Sequence, residues 1–277
     1  MSAEQLSVRF WGVRGTLPTP GADTVRYGGN TSCVEVDLGR RSVIFDAGTG
    51  IKKLGDRLAG RGGSVEADIL FGHCHMDHIC GLPFFAPLYE AQHRIGLWAG
   101  NLLPKGSLEA AIRSIMSPPL FPVEIEAFKA EVQFRDFHTG ELLDLGGGVT
   151  ARTGMLNHPG GAVGYRLECA GKSIAYITDT EHRPNELDQT VLSLVQKADL
   201  MIYDCTYTDE EFPARTGWGH STWQQAARLA DAGRVAKLAI FHHDPDHDDA
   251  FMQKVEAEAE KAYPGAFVAR EGLVLQL

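Results

Sequence analysis

Cysteine is scarce: Cys33, Cys74, Cys80, Cys169 and Cys205 are five in 277 residues. Their odd count and apolar settings lack the even spacing of a disulfide framework, so they read as reduced core thiols. No apolar run approaches the roughly 18 residues that a membrane-spanning helix needs. Met1 to Leu6 lacks the basic and apolar regions of a signal peptide, so a soluble cytoplasmic protein is expected. Positive charge is in deficit, with 26 Lys+Arg against 36 Asp+Glu and a formal charge of −10. That balance repels a polyanion at long range and sets the expectation of a small anionic substrate and no stable nucleic-acid complex. No Pro/Ser linker or block of like charge divides the chain, so one domain over 1–277 is expected.

What is present is a globular composition, 44% hydrophobic and 22% charged, which excludes disorder, collagen and coiled coil. A chain of this length builds a core without disulfides. Apolar alternation or short apolar runs predict strands near 7–12, 33–37, 42–46, 67–71, 131–137, 149–155, 163–168, 173–178, 199–203 and 236–241. Helical spacing fits 50–60, 84–91, 107–116, 187–197, 221–232 and 248–262, the fifth opening on Ser221 and Gln224 at capping-box spacing and ending at Gly233. Strand-rich, helix-ended halves meeting near residue 157 suit two layers of sheet covered by helices.

The segment Ile69-Leu70-Phe71-Gly72-His73-Cys74-His75-Met76-Asp77-His78 runs an apolar strand into a dense set of metal-capable side chains. His73 and His75 are two apart, so in extended backbone they face one side and two imidazoles grip one ion. Asp77 and His78 then serve another position, because one ion taking all four from so tight a loop would be strained. The spacing suggests a binuclear site.

His73-Cys74-His75-Met76-Asp77-His78, followed by Gly81-Leu82-Pro83, resembles the HxHxDH signature of the metallo-β-lactamase fold superfamily, and its ribonuclease Z-like, cyclic-nucleotide phosphodiesterase-like branch in particular. The resemblance implies an α+β fold, an αββα sandwich of two mixed β-sheets packed face to face with helices on the outer faces, and a single hydrolase domain over 1–277. It also implies further ligands. His158 ends a strand-like stretch before Pro159-Gly160-Gly161, and Val163-Gly164-Tyr165-Arg166-Leu167 resembles the family's segment after its third histidine. Asp179, in Thr178-Asp179-Thr180, resembles the bridging aspartate, although the residue alone also suits a helix N-cap. Of His242 and His243, His242 matches the family's last ligand, being the first histidine after the apolar strand. The implied arrangement is His73, His75 and His158 on one ion, Asp77, His78 and His242 on the other, and Asp179 between them with a bridging hydroxide. Two divalent ions are expected, with Zn²⁺ suited to imidazole and carboxylate and Mn²⁺ or Fe²⁺ able to use the same donors.

Tyr203-Asp204-Cys205-Thr206-Tyr207 and Gly219-His220-Ser221-Thr222 resemble the acidic-x-Thr and His-Ser-Thr motifs of that branch. By resemblance Asp77 and His220 are catalytic, His220 as general acid or phosphate ligand, and Asp204 orients His220. The family counterpart of Asp204 is commonly glutamate, and the shorter side chain leaves the pairing distance to be measured. Asp46, in Phe45-Asp46-Ala47-Gly48, resembles the aspartate beneath the histidine loop and is expected to support it rather than ligate. Arg14 reads as exposed or ion-paired before it reads as a phosphate holder; Phe84, Phe85 and Leu88 read as core; Trp218 flanks a loop that must approach the site.

The expected function is binuclear hydrolysis of a small phosphodiester, a cyclic nucleotide foremost, by attack of the bridging hydroxide. The alternatives are a ribonuclease Z-like tRNA 3′-processing endonuclease, whose extra RNA-gripping arm has no visible counterpart here, a lactonase or β-lactamase-type carbonyl hydrolase, and a non-catalytic metal-bound scaffold. A homodimer is expected on resemblance.

Overall fold

Ser7–Gly12 (β1) alternates half-buried and buried side chains, the period-two pattern of a strand covered on one face. The computed structural model describes residues 6–277, so of the Met1–Leu6 segment read above only Leu6 lies within the described residues. Cys33–Asp37 (β2), Arg41–Phe45 (β3), Ile51–Gly60 (α1), Glu66–Phe71 (β4), the single turn Met76–Ile79 (α2), Arg94–Ala99 (β5), Leu108–Ile115 (α3) and Glu131–Asp136 (β6) follow. Leu142–Gly146 (β7), Val149–Leu156 (β8), Ala162–Cys169 (β9), Lys172–Ile177 (β10), Gln189–Val195 (α4), Leu200–Asp204 (β11), Trp223–Gly233 (α5), Leu238–Phe241 (β12), Asp249–Ala262 (α6), Ala266–Val268 (β13) and Val274–Gln276 (β14) complete the chain.

The strands form two seven-stranded sheets, ordered β14-β1-β2-β3-β4-β5-β6 and β13-β12-β11-β10-β9-β8-β7. Both are mixed in the same way. Three antiparallel pairings lead into three parallel ones, β3-β4-β5-β6 in the first sheet and β10-β11-β12-β13 in the second. Side chains of both sheets, among them Phe10, Phe45, Leu70, Tyr165, Tyr176 and Phe241, share one buried cluster between them. A second cluster joins the first sheet to Ile51 and Leu54 of α1 and Ile112 of α3, and a third joins the second sheet to Leu194 of α4, Leu229 of α5 and Val255 of α6. This is the αββα sandwich, and its parallel strands end on one rim where the polar motifs lie.

The chain passes between sheets after Asp136 and before Leu142, not near residue 157, because β14 returns to the first sheet and β7 already belongs to the second. Strands β5, β7, β13 and β14 were not expected: β5 is interrupted by Gly96, β7 is a five-residue edge, and the last two are three residues each. The helix expected over 84–91 is two 3₁₀ turns, Leu82–Phe84 and Ala86–Tyr89, since Pro83 and Pro87 start turns but cannot continue a helix interior. The cap of α5 is Thr222 rather than Ser221: its hydroxyl accepts the Gln225 N–H, and Gln225 turns its amide to Glu186 instead of back to the cap. All five cysteines are free. No helix among the described residues is long and apolar enough to cross a membrane.

Candidate metal centre

Five of the polar residues sit just past strand ends, while His220 stands before α5. Asp46 follows β3, His73 follows β4, His158 follows β8, Asp179 follows β10 and His242 follows β12. Asp46, Asp179 and His242 take positive φ of 59°, 57° and 62°, a left-handed kink that turns the chain off the sheet just as the side chain enters the rim. Non-glycine residues adopt this conformation at a cost of order 1–3 kcal/mol, and such strain concentrates at functional sites. Gly15 packs against His242, where an added Cβ would lie 2.3 Å from the imidazole, and Gly219 packs likewise at 2.4 Å from His158 Nδ1.

His73, His75 and His158 gather as one donor set, and Asp77, His78, Asp179 and His242 as a second. In the second, His78 Nε2 and His242 Nε2 each lie 3.2 Å from Asp179 Oδ1, at 3.2 and 3.3 Å from Asp77 Oδ2, and 3.4 Å from each other. Two donors each about 2.0–2.1 Å from one tetrahedral ion stand about 3.3–3.4 Å apart, so this set has the spacing of a ligand shell. In the first set His158 Nε2 lies 3.2 Å from His75 Nδ1, while Asp179 Oδ2 stands 3.6 Å from His73 Nε2 and 3.8 Å from His158 Nε2. Asp179 thus turns one oxygen to each set. His73 is buried with neither ring nitrogen hydrogen-bonded, an orphaning that costs free energy unless a cation takes the lone pair. The donors fit divalent ions.

The Nδ1 atoms of His78, His158 and His242 each have an acceptor. His78 Nδ1 donates to Asp46 Oδ2 at 2.7 Å, and His158 Nδ1 donates to the Gly219 carbonyl at 2.8 Å. The Thr206 hydroxyl donates to Asp204 Oδ1 at 2.7 Å and so accepts from His242 Nδ1 at 3.0 Å. Each bond leaves the Nε2 lone pair aimed into its donor set, the support that metal-binding histidines require. Asp46 is held in turn by the Tyr176 hydroxyl at 2.6 Å and the Gly72 N–H at 2.7 Å. Burial lowers the His73, His75 and His158 pKa values, which keeps these imidazoles neutral, the form that binds metal. His78 goes the other way: its burial is outweighed by Asp179, Asp77 and Asp46. For Asp179 the desolvation cost is likewise exceeded by His242, His78 and His73, which hold the carboxylate ionised.

His220 lies at the edge of both sets. Its Nδ1 is 3.0 Å from Asp204 Oδ2 and 3.9 Å from Asp179 Oδ2. Burial disfavours its charge, yet Asp204, by charge and hydrogen bond, raises its pKa to about 9. The aspartate therefore reaches His220 despite being shorter than glutamate.

Other expected residues fall elsewhere. Arg14 is fully buried, not exposed, and donates to the carbonyls of Gly28, Asp244 and His247, so it ties loops together and holds no phosphate. His243 is buried facing the Ala269 carbonyl, away from both donor sets. Phe85 and Leu88 are core, whereas Phe84 is half-exposed against Phe121. Sequence reasoning did not pick out Glu181, Thr16 or the role of Thr206. Glu181 Oε2 accepts the N–H groups of Gly217 and Gly219, and the Thr16 N–H donates to Asp77 Oδ2 at 2.7 Å from a positive φ of 63°. The signal for Thr206 was its spacing from Asp204; for the other two nothing local announced the partner.

The sequence profile of the beta-lactamase superfamily domain matches residues 41–243, nearly three-quarters of the chain. Ribonuclease Z of Gemmatimonas aurantiaca is 27% identical over 98% of this chain and 96% of its own length, and ribonuclease Z of Haloferax volcanii is 27% identical over 97% and 94%. Among solved structures, the metallo-beta-lactamase fold protein YhfI from Bacillus subtilis superposes with TM-score 0.74 at 18% identity, covering 99% of this chain and 100% of that one. The short form of human tRNase Z gives TM-score 0.69 at 20% identity over 98% of both chains. These relatives overturn the expectation of a small substrate without a nucleic-acid complex, since proteins matched along nearly the whole chain are named as ribonucleases. The formal charge of −10 is a whole-molecule quantity and does not report the local surface around a site. The chain belongs to the beta-lactamase superfamily and is a metal-dependent hydrolase of that fold.

Proposed function

We propose that the protein hydrolyses phosphodiester bonds, RNA foremost, at a centre of two divalent ions. The observation that carries this reading is Asp179, whose two oxygens face two separate histidine-rich donor sets while the Asp204-backed His220 stands 3.9 Å away. His73, His75 and His158 would hold one ion, Asp77, His78 and His242 the other, and Asp179 both. The 3.2–3.4 Å donor separations favour the tetrahedral preference of Zn²⁺. Bound, the ion pair supplies an activated water and stabilises charge on the oxygens of an in-line displacement.

The chain's own groups do the rest. Asp204 holds His220 protonated, with its pKa raised to about 9, so the imidazolium carries a proton at neutral pH for the leaving oxygen. Thr206 and the Gly219 carbonyl fix the rings of His242 and His158, and the Thr16 N–H fixes Asp77. A phosphodiester uses all of these, because its leaving alkoxide needs a proton and its non-bridging oxygens need positive charge.

RNA is supported by the chain-wide relatives named ribonuclease Z. The test is turnover by Zn²⁺- and Mn²⁺-loaded protein on a precursor tRNA with a 3′ trailer and on 3′,5′- and 2′,3′-cyclic nucleotides, with Asp77→Asn as control. Metal-dependent RNA cleavage lost in the variant is expected. Loaded protein that cleaves neither diester overturns the reading.

A further inference from the structure

Trp218 is 57% exposed. Of the four tryptophans it is the exposed one, Trp98 and Trp223 being buried and Trp11 half-buried. An exposed indole on a loop is ordinarily free to move, but here the backbone on both sides is fixed. Glu181 Oε2 accepts the Gly217 N–H at 2.7 Å and the Gly219 N–H at 2.9 Å, and the Trp218 N–H bonds the Arg215 carbonyl at 3.1 Å. Gly217 and Gly219 take φ of 89° and 87°, which a side-chain-bearing residue would not hold without strain. Arg215 lays its guanidinium over the Trp218 ring at 4.8 Å and over Tyr207 at 6.0 Å, and Tyr207 meets His220 edge-on at 6.0 Å.

A flat aromatic face, a cation held beside it and a short path to the proton donor are what a single-stranded nucleotide needs, since bases stack on aromatic rings and backbone phosphates pair with arginine. We propose that Arg215 and Trp218 form the subsite for the nucleotide on the leaving-group side of the scissile phosphate. Its base stacks on the indole face away from Arg215, and its phosphate pairs with the guanidinium. The side follows from the place of His220, one residue beyond Gly219 and held by Asp204 at 3.0 Å, the group assigned above to the leaving oxygen. The inference rests on the phosphodiesterase reading, and binding is measured apart from turnover so that the two fail separately.

The experiment is a double-mutant cycle: wild type and Trp218→Ala against a single-stranded RNA carrying either a base or an abasic sugar at the leaving-side nucleotide, with KM and kcat read for each. Alongside it, tryptophan emission is titrated with a single-stranded hexadeoxynucleotide. The base-bearing RNA should show KM raised about 5- to 150-fold in Trp218→Ala, the range of base–aromatic stacking. That rise should shrink to within about twofold on the abasic RNA. Emission should be quenched in wild type and not in the variant, Trp218→Phe should recover part of the KM loss, and Arg215→Gln should flatten the salt dependence by about one counterion. Equal losses on both RNAs, or quenching that persists without Trp218, overturn the subsite. Quenching with no cleavage overturns the phosphodiesterase reading instead and leaves the platform standing.

Discussion

Asp204 serves two histidines at once: its Oδ2 lies 3.0 Å from His220 Nδ1, and its Oδ1 takes the Thr206 hydroxyl that receives His242 Nδ1. One buried carboxylate thereby favours the charged form of His220 and sets the tautomer of His242.

His220→Ala removes the donor and leaves Asp204 and Thr206 to hold His242. The expected outcome is a fall in kcat of about 10²–10⁴-fold with metal content unchanged. Asp204→Asn should lower kcat as well and also weaken metal binding, because the amide keeps one acceptor oxygen where the carboxylate offers two, so His220 and the Thr206 hydroxyl are no longer both served. Steady-state kinetics with metal analysis on the same preparations separate the two; full activity in His220→Ala would remove it from the mechanism.

Glu181 holds the loop whose Gly219 carbonyl fixes His158, and its own backbone is tied to Asn157 by an N–H to carbonyl bond of 2.8 Å. Glu181→Ala should therefore weaken the ion of the His73, His75 and His158 set by about 10-fold or more and spare the other, while Glu181→Gln keeps one acceptor oxygen and recovers part of the loss. Calorimetric titration of metal-free protein reads both ions. An equal loss at both sites would show a general loosening of the fold.

Burial raises the pKa of every thiol: Cys74 and Cys169 to about 12, Cys80 less, Cys33 and Cys205 well above the usual range. Native protein in iodoacetamide at pH 8 should stay largely unmodified for minutes while urea-unfolded protein takes five labels, read by intact mass. One rapidly labelled cysteine in the native protein contradicts this.

His243 is buried beside Arg14, and burial first, then that charge, push its pKa down to about 3. The unfolded chain, with a value of about 6.5, binds the proton first. Its contribution to stability is therefore complete above about pH 6.5 and is lost as pH falls toward 3, by about 2 kcal/mol between pH 7 and pH 5. Urea unfolding of metal-free wild type and His243→Gln at both pH values should show the smaller loss in the variant, whose amide also donates to the Ala269 carbonyl. Equal losses would contradict the assignment.

Much of the rim was legible in sequence because its determinants are local. His73 to His78 crowd one loop, and Asp179 and His242 each follow a short apolar run that had to be a strand. The strand and helix periodicities suited two layers of sheet under helices, and the αββα sandwich itself came with the family resemblance. What could not be read was contact at a distance. Arg14 bonds carbonyls 230 and 233 positions away, and in sequence it looks like any loop arginine. Glu181 acts through backbone N–H groups 36 and 38 positions on, which no side-chain pattern encodes. Strand β5 is broken by Gly96, and β7 opens on the exposed Leu142 and runs into Gly146-Gly147-Gly148, so their neighbours in the sheets define them.

Anomalous diffraction from Zn²⁺-loaded crystals tests the central claim most directly. Two peaks about 3.5–4 Å apart are predicted, one among His73, His75 and His158, the other among Asp77, His78 and His242, with an oxygen of Asp179 on each. A single peak, or a second ion placed away from Asp179, would contradict the binuclear centre.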